Sequence, residues 1–92
     1  MGTSIDAQVS TSDAGGIVDL GAERSDLDTI IISGTFDAGD IILEGRRKRG
    51  WAPATGGTFT ETGIYNNLIS NITQYRLVVS SDFDGDVWFE VG

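Results

Sequence analysis

Asp82-Phe83-Asp84-Gly85-Asp86 places three carboxylates at alternate positions. Alternate acids can chelate Ca²⁺, a hard ion that takes six to eight oxygen ligands. An EF-hand loop is excluded. Counting from Asp82, the sixth position is Val87 instead of Gly, and a twelfth position would fall beyond Gly92. Asp-Gly is also the preferred two-residue hairpin turn. The spacing therefore predicts a plain hairpin turn over 81–86, with no metal assigned and Asp82, Asp84 and Asp86 as weak ligand candidates.

Arg46-Arg47-Lys48-Arg49 gathers four of the six basic residues of a chain whose net charge is −8. A nucleic-acid patch needs a basic face and stacking rings, and here the rest of the surface repels phosphate. Arg-Arg-Lys-Arg followed by Gly50 also fits a convertase cleavage pattern, which requires secretion. A loop that docks on an acidic protein surface fits the polarity, and so does a solvated loop tip that blunts a sheet edge. Arg46, Arg47, Lys48, Arg49 and the neighbouring Trp51 form the candidate partner-binding set.

Trp51 and Trp88 are the two tryptophans. Trp is common in interface hot spots and as a stacking platform for sugars; in a domain of this size core or core-edge packing is the default. Asn71-Ile72-Thr73 spells a glycosylation sequon, which is empty without secretion.

Catalysis finds no support in the residue types. The chain has no His and no Cys, which removes the usual general base, the thiol nucleophile and the commonest metal ligands. No Ser stands in a nucleophile elbow. The reading is a non-enzyme without a cofactor. The start, MGTSIDAQVS, has neither a basic nor an apolar signal region. No apolar run approaches the ~20 residues of a membrane-spanning helix. Neither nucleic acid nor membrane is an expected partner.

Ninety-two residues make one domain over 1–92, with 1–16 as an extended arm or edge strand. A chain this short, without disulfide or metal, gains from association. Short apolar or alternating runs bounded by Gly, Asp, Asn or Ser read as eight or nine strands. The runs are Ile5–Ser10, 17–20, 29–33, 41–44, 58–60, 64–69, 74–80 and 87–91. The isoleucines of 29–33 suggest a strand buried on both faces or central in a sheet, 34–40 a turn, and 41–44 a hairpin partner of 29–33. The segment 46–54 reads as a basic loop, Gly56-Gly57 as a turn, 11–16 as a loop and 21–28 as a solvated connection. In 74–80, Tyr75, Leu77 and Val79 share a face; in 87–91, Val87, Phe89 and Val91 oppose Trp88 and Glu90. The fold class is all-β, a compact antiparallel β-sandwich of jelly-roll type with essentially no helix.

The phrases IIISGTFDAGDIILEG, RGWAPATGG, TFTETGIYNNLI and TQYRLVVSSDFDGDVWFEV cover roughly two thirds of the chain. Their pattern resembles small structural proteins of tailed bacteriophages, particularly capsid decoration or cement proteins and related tail and fibre modules. Where those proteins usually carry an Asp-Gly turn after the second of their hairpin strands, this chain carries the basic Arg-Arg-Lys-Arg-Gly. The resemblance implies a virion component made in the host cytoplasm and held on the capsid surface. Its partners would be the major capsid protein and neighbouring copies, in a homo-oligomer with a trimer favoured. The alternatives are a carbohydrate- or Ca²⁺-dependent binding module and a receptor-binding tail component.

Overall fold

The computed structural model describes residues 5–21, 26–47, 50–70 and 74–91. Within them run eight strands: β1 (Ile5–Ser10), β2 (Ile17–Gly21), β3 (Asp26–Ala38), β4 (Ile41–Arg47), β5 (Gly50–Phe59), β6 (Gly63–Ser70), β7 (Gln74–Val79) and β8 (Asp84–Val91). One 3₁₀ turn, Thr11–Asp13, is the only helical element among the described residues. Asp13 stabilises it by accepting the Ser10 backbone N–H at 2.9 Å, a capping contact typical of a turn start.

The strands form two four-stranded antiparallel sheets. Sheet A runs β1-β8-β3-β6 and sheet B runs β2-β7-β4-β5. The pairs β1·β8, β2·β7, β3·β6 and β4·β5 are nested. The chain is thus one long antiparallel ribbon, doubled at the β4–β5 hairpin and rolled up until β8 meets β3 and β7 meets β4. This is the jelly-roll arrangement of a β-sandwich.

Rolling explains where the local expectations fail. Consecutive strands other than β4 and β5 pass from one sheet to the other, so most short turns are sheet-to-sheet corners. β4 does not pair with β3 as a hairpin; its partners are β5 and β7. Residues 81–86 do not close a hairpin either, because β7 and β8 lie in different sheets. The corner there is a turn in which the Phe83 N–H donates to the Ser80 carbonyl at 3.2 Å. The expected 34–40 turn is strand as far as Ala38. Gly34 marks a close approach between strands: it faces Val87, its φ is +103°, and a Cβ there would run into the Asp86 carbonyl oxygen. Gly56 and Gly57 lie within β5, where five steps from Pro53 to Thr58 face two steps from Ile42 to Glu44, a bulge that kinks the strand. Asp26 already begins β3, so the 21–28 connection is shorter than expected. The loop 11–16 contains the 3₁₀ turn.

Three of the corners are stitched together at one end. The Ser80 N–H donates to the Asp40 carbonyl at 3.0 Å, and the Asp40 N–H donates back to Ser80 Oγ at 2.9 Å. The Val79 N–H donates to the Gly16 carbonyl at 2.9 Å and the Gly15 N–H to the Ser80 carbonyl at 3.0 Å. Gly39 turns between β3 and β4 at φ +84°, with no room for a Cβ against the Phe83 backbone. Phe36 packs edge-on to Phe83, ring centroids 5.2 Å apart.

The core lies between the sheets and is filled by the inward residue of each alternation. Tyr75, Leu77 and Val79 of β7 and Val87, Phe89 and Val91 of β8 are buried as their spacing predicts. Phe59 links the sheets, meeting Phe89 at 5.8 Å and Tyr65 at 4.7 Å between centroids. Edge-to-face pairs of this kind add about 0.5–1.5 kcal/mol beyond area burial. Of the three isoleucines of β3, Ile30 and Ile32 enter the core; Ile31 points out of the sandwich at 36% exposure. The strand is central within its sheet but buried on one face only, since no layer covers the outside of sheet A among the described residues.

Candidate protein-binding surfaces

Apart from residues 48 and 49, the segment 46–54 is strand and not loop. Arg46 and Arg47 end β4, and Gly50 and Trp51 begin β5, with Arg46 opposite Trp51 and Arg47 opposite Gly50. Arg46 and Arg47 therefore stand at the paired ends of β4 and β5. Arg46 is exposed and makes no ion pair with a described residue. Lys48 and Arg49 lie outside the described residues.

Trp51 is half-buried on the outer face of sheet B. The Arg76 guanidinium carbon sits 4.3 Å from its ring centroid, a cation–π stack. Arg76 Nε in turn donates to Glu44 Oε1 at 2.7 Å. Cross-strand register produces this arrangement: Arg76 of β7 faces Glu44 of β4 on one side and Asp19 of β2 on the other. The neighbouring row on the same face is apolar, with Ile17 opposite Val78 and Val78 opposite Ile42. The candidate anchor thus has one ring face already covered by its own chain.

The outer face of sheet A is built differently. Trp88 points outward from β8 and is 50% exposed, while Ile64 of β6 is 66% exposed. Ile31 faces Ile64 on one side and Glu90 on the other; Trp88 faces Ser33 and Gln8. Trp88 and Ile31 are therefore diagonal neighbours, within reach of each other on one face. The β1–β8 side of this face carries the exposed acids Asp6, Asp86 and Glu90. Among the described residues no Lys or Arg stands on it. Neither tryptophan is in the core, contrary to the default for a domain of this size; each occupies an outward position of its strand.

The three candidate acids are not brought to one point. Asp82 lies in the β7–β8 corner, Asp84 accepts the Thr11 hydroxyl at 3.0 Å, and Asp86 accepts the Gln8 side-chain amide at 2.8 Å. Among the described residues no three carboxylates are grouped to hold a metal ion. Asp84 ties the 3₁₀ turn to β8, and Asp86 ties β1 to its own strand. The sequon at Asn71, Ile72 and Thr73 falls outside the described residues.

Some of this was readable beforehand. The alternation in Val-Trp-Phe-Glu-Val already points Trp88 away from the core. The partnership of Arg76 with Trp51 was not, because it depends on which strands become neighbours. Ile31 and Ile64 were missed as surface groups for want of the same information. Compared with protein-family models, curated proteins and solved structures, the chain finds no match.

Proposed function

We propose that the chain is a non-enzymatic structural protein of a phage particle, which binds the assembled capsid and neighbouring copies of itself. The observation that carries this reading is the uncovered outer face of sheet A. Trp88, Ile31 and Ile64 stand there in adjacent positions where a solvated sandwich face places polar residues. Exposed apolar groups gathered on one face mark interaction surfaces, and Trp at such a place is a frequent hot spot. The absence of His and Cys from the sequence supports a binding role over a catalytic one. The jelly roll recurs in viral shell proteins and in lectins, and a fold alone assigns no role. Placement on the capsid surface and the phage origin rest on the sequence resemblance.

The test is co-sedimentation with expanded capsids assembled from the major capsid protein. The chain is expected to pellet with them, and Trp88→Ala is expected to weaken that binding about tenfold or more. A folded chain that stays in the supernatant overturns the proposal.

A carbohydrate-binding module is the second reading, favoured by one observation. The open Trp88 ring is flanked by Gln8, whose amide is bonded to Asp86 at 2.8 Å, so a stacking surface stands beside polar groups. Quenching or a shift of Trp88 emission by oligosaccharides, absent in Trp88→Ala, separates this reading from the first.

A further inference from the structure

We infer that Asp84-Gly85 is a site of isoaspartate formation and that Thr11 is the clamp that holds it in check. The step bears on the lifetime of the fold, whatever the chain binds.

Asp84-Gly85 is the single Asp-Gly pair in the sequence, and Asn-Gly does not occur. Glycine has no Cβ to shield its amide nitrogen, so an aspartate before it is the one most open to attack. The Gly85 nitrogen bonds to Cγ of Asp84, the Cγ–OH bond of the protonated carboxyl breaks, and the amide hydrogen leaves with the hydroxyl as water. Water then opens the five-membered imide. Opening at Cγ restores aspartate. Opening at the main-chain carbonyl carbon leaves the backbone running through the former side chain, one carbon longer, as isoaspartate.

The packing does not allow another residue in place of this glycine. Gly85 faces Phe36 across β3 and β8, and a Cβ there would run into the Thr35 carbonyl oxygen and crowd the Phe83 ring. Burial does not protect the step either, since Asp84 is exposed. Thr11, from the 3₁₀ turn after β1, engages both reacting groups instead. Its Oγ1 accepts the Gly85 N–H at 3.0 Å, and its hydroxyl donates to Asp84 Oδ1 at 3.0 Å, with the Gly85 carbonyl oxygen 3.2 Å away as a second acceptor. One hydroxyl thus holds the hydrogen of the nucleophile and an oxygen of the electrophile. Ring closure must swing the carboxyl onto the nitrogen, which breaks both bonds. It must also turn the Asp84 backbone away from the extended form in which β8 pairs with Ala38.

The clamp closes only while the Thr11–Asp13 turn sits against β8. Local opening of that turn exposes the step. An isoaspartate formed then lengthens the β8 backbone and leaves Thr11 without its partners, so a transient opening becomes a permanent loosening.

The test follows the purified chain during prolonged warming in mildly acidic buffer, folded and in guanidinium chloride. Trypsin cuts after Arg76 and releases the rest of the chain as one peptide holding Asp82, Asp84 and Asp86. Its isoaspartyl form has the same mass, elutes separately and accepts a methyl group from an isoaspartyl methyltransferase; electron-transfer fragmentation locates the altered residue. Conversion at Asp84 is expected to be at least about tenfold slower in the folded chain than in the unfolded one. Thr11→Val, which keeps the shape and removes the hydroxyl, is expected to speed conversion in the folded chain about fivefold or more. Thr11→Ala is expected to match it, and Thr11→Ser to keep the slow rate. Gln8→Ala removes a separate tie between β1 and β8, the bond to Asp86 at 2.8 Å. It is expected to leave the rate at Asp84 unchanged, which separates a local clamp from a general loosening of β1. Circular dichroism confirms that each variant retains the sheet spectrum. Conversion at Asp84 that is equally fast folded and unfolded, or absent from the unfolded chain, overturns the site. Hydroxyl-free variants that convert no faster than the original chain, or no faster than Gln8→Ala, overturn the clamp.

Discussion

The two outer faces of the sandwich put a tryptophan to opposite uses. On sheet B, Trp51 lies beneath Arg76 at 4.3 Å, and Arg76 is held by Glu44 at 2.7 Å. On sheet A, Trp88 stands half open beside acids with no described base on its face. The first ring is finished within its own chain, and the second has its apolar surface still in water. A tryptophan in a small acidic protein is thus no guide to a binding site until its neighbours across the strands are known. What distinguishes the two is the strand beside each one.

The largest effect that separates face from core lies within one strand. Phe89 and Trp88 are successive residues of β8, the first fully buried and the second 50% exposed. Phe89→Ala is expected to cost about 3–5 kcal/mol, and Trp88→Ala no more than about 0.5 kcal/mol, as for a surface substitution. Urea denaturation midpoints read both. Comparable losses would show that Trp88 supports the fold and would remove the contrast between the faces.

Next in size is the sheet B network. Arg76→Ala removes the stack on Trp51 and the pair with Glu44, whose side chains are 25% and 17% exposed. The expected loss is about 1 kcal/mol, combining a partly solvated ion pair with one cation–π contact. Trp51 emission is expected to move to longer wavelength as the ring gains water. Arg76→Lys keeps the charge but loses the planar stack, so it is expected to recover stability only in part. Unchanged emission in Arg76→Ala would mean that the guanidinium does not shield the ring.

The smallest effect concerns pH. Burial, with Glu61 nearby, raises Tyr65 above its ordinary value of 10.0; its hydroxyl donates to the Glu61 carbonyl at 2.8 Å. The fold thus favours the neutral phenol, and the unfolded chain gives up this proton first. The contribution is complete below the unfolded value and is lost as pH rises through the folded one. Tyr65→Phe is expected to change neutral-pH stability by about 0.5 kcal/mol or less and to flatten part of the alkaline decline. Superimposable pH profiles would show that Tyr65 does not contribute to it.

The sequence reports strands and faces well where one side is core and the other water. Gln74–Val79 and 87–91 have that alternation, and the buried set matches it. It misleads at Ile31, where three isoleucines in a row suit a doubly buried strand as well as the central one that β3 is. It fails again at the corners, where Gly and Asp promote a turn equally well whether the chain returns to the same sheet or crosses to the other. Gly34 shows the same ambiguity: its lack of a side chain serves contact with the Asp86 backbone in a neighbouring strand. For the candidate site, the basic run and the outward Trp88 could be read locally. The acidic border of Trp88 comes from β1 and β8, at opposite ends of the sequence, and only the roll brings them together.

Nesting also orders the events of folding. Among the described residues β4 and β5 are the only consecutive strands that pair with each other, so they close the shortest loop, and every outer pair encloses the ones within it. Loop-closure entropy rises with the length enclosed, and folds dominated by distant contacts form slowly. The ribbon apex is then the natural nucleus, with β1 and β8 zipping last. Weakening the β4–β5 pairing is expected to lower the folding rate, and weakening β1 to raise the unfolding rate, which the two arms of a chevron plot separate. Arg46 and Trp51, opposite each other across β4 and β5, would then meet well before Trp88 gains its neighbours on β1.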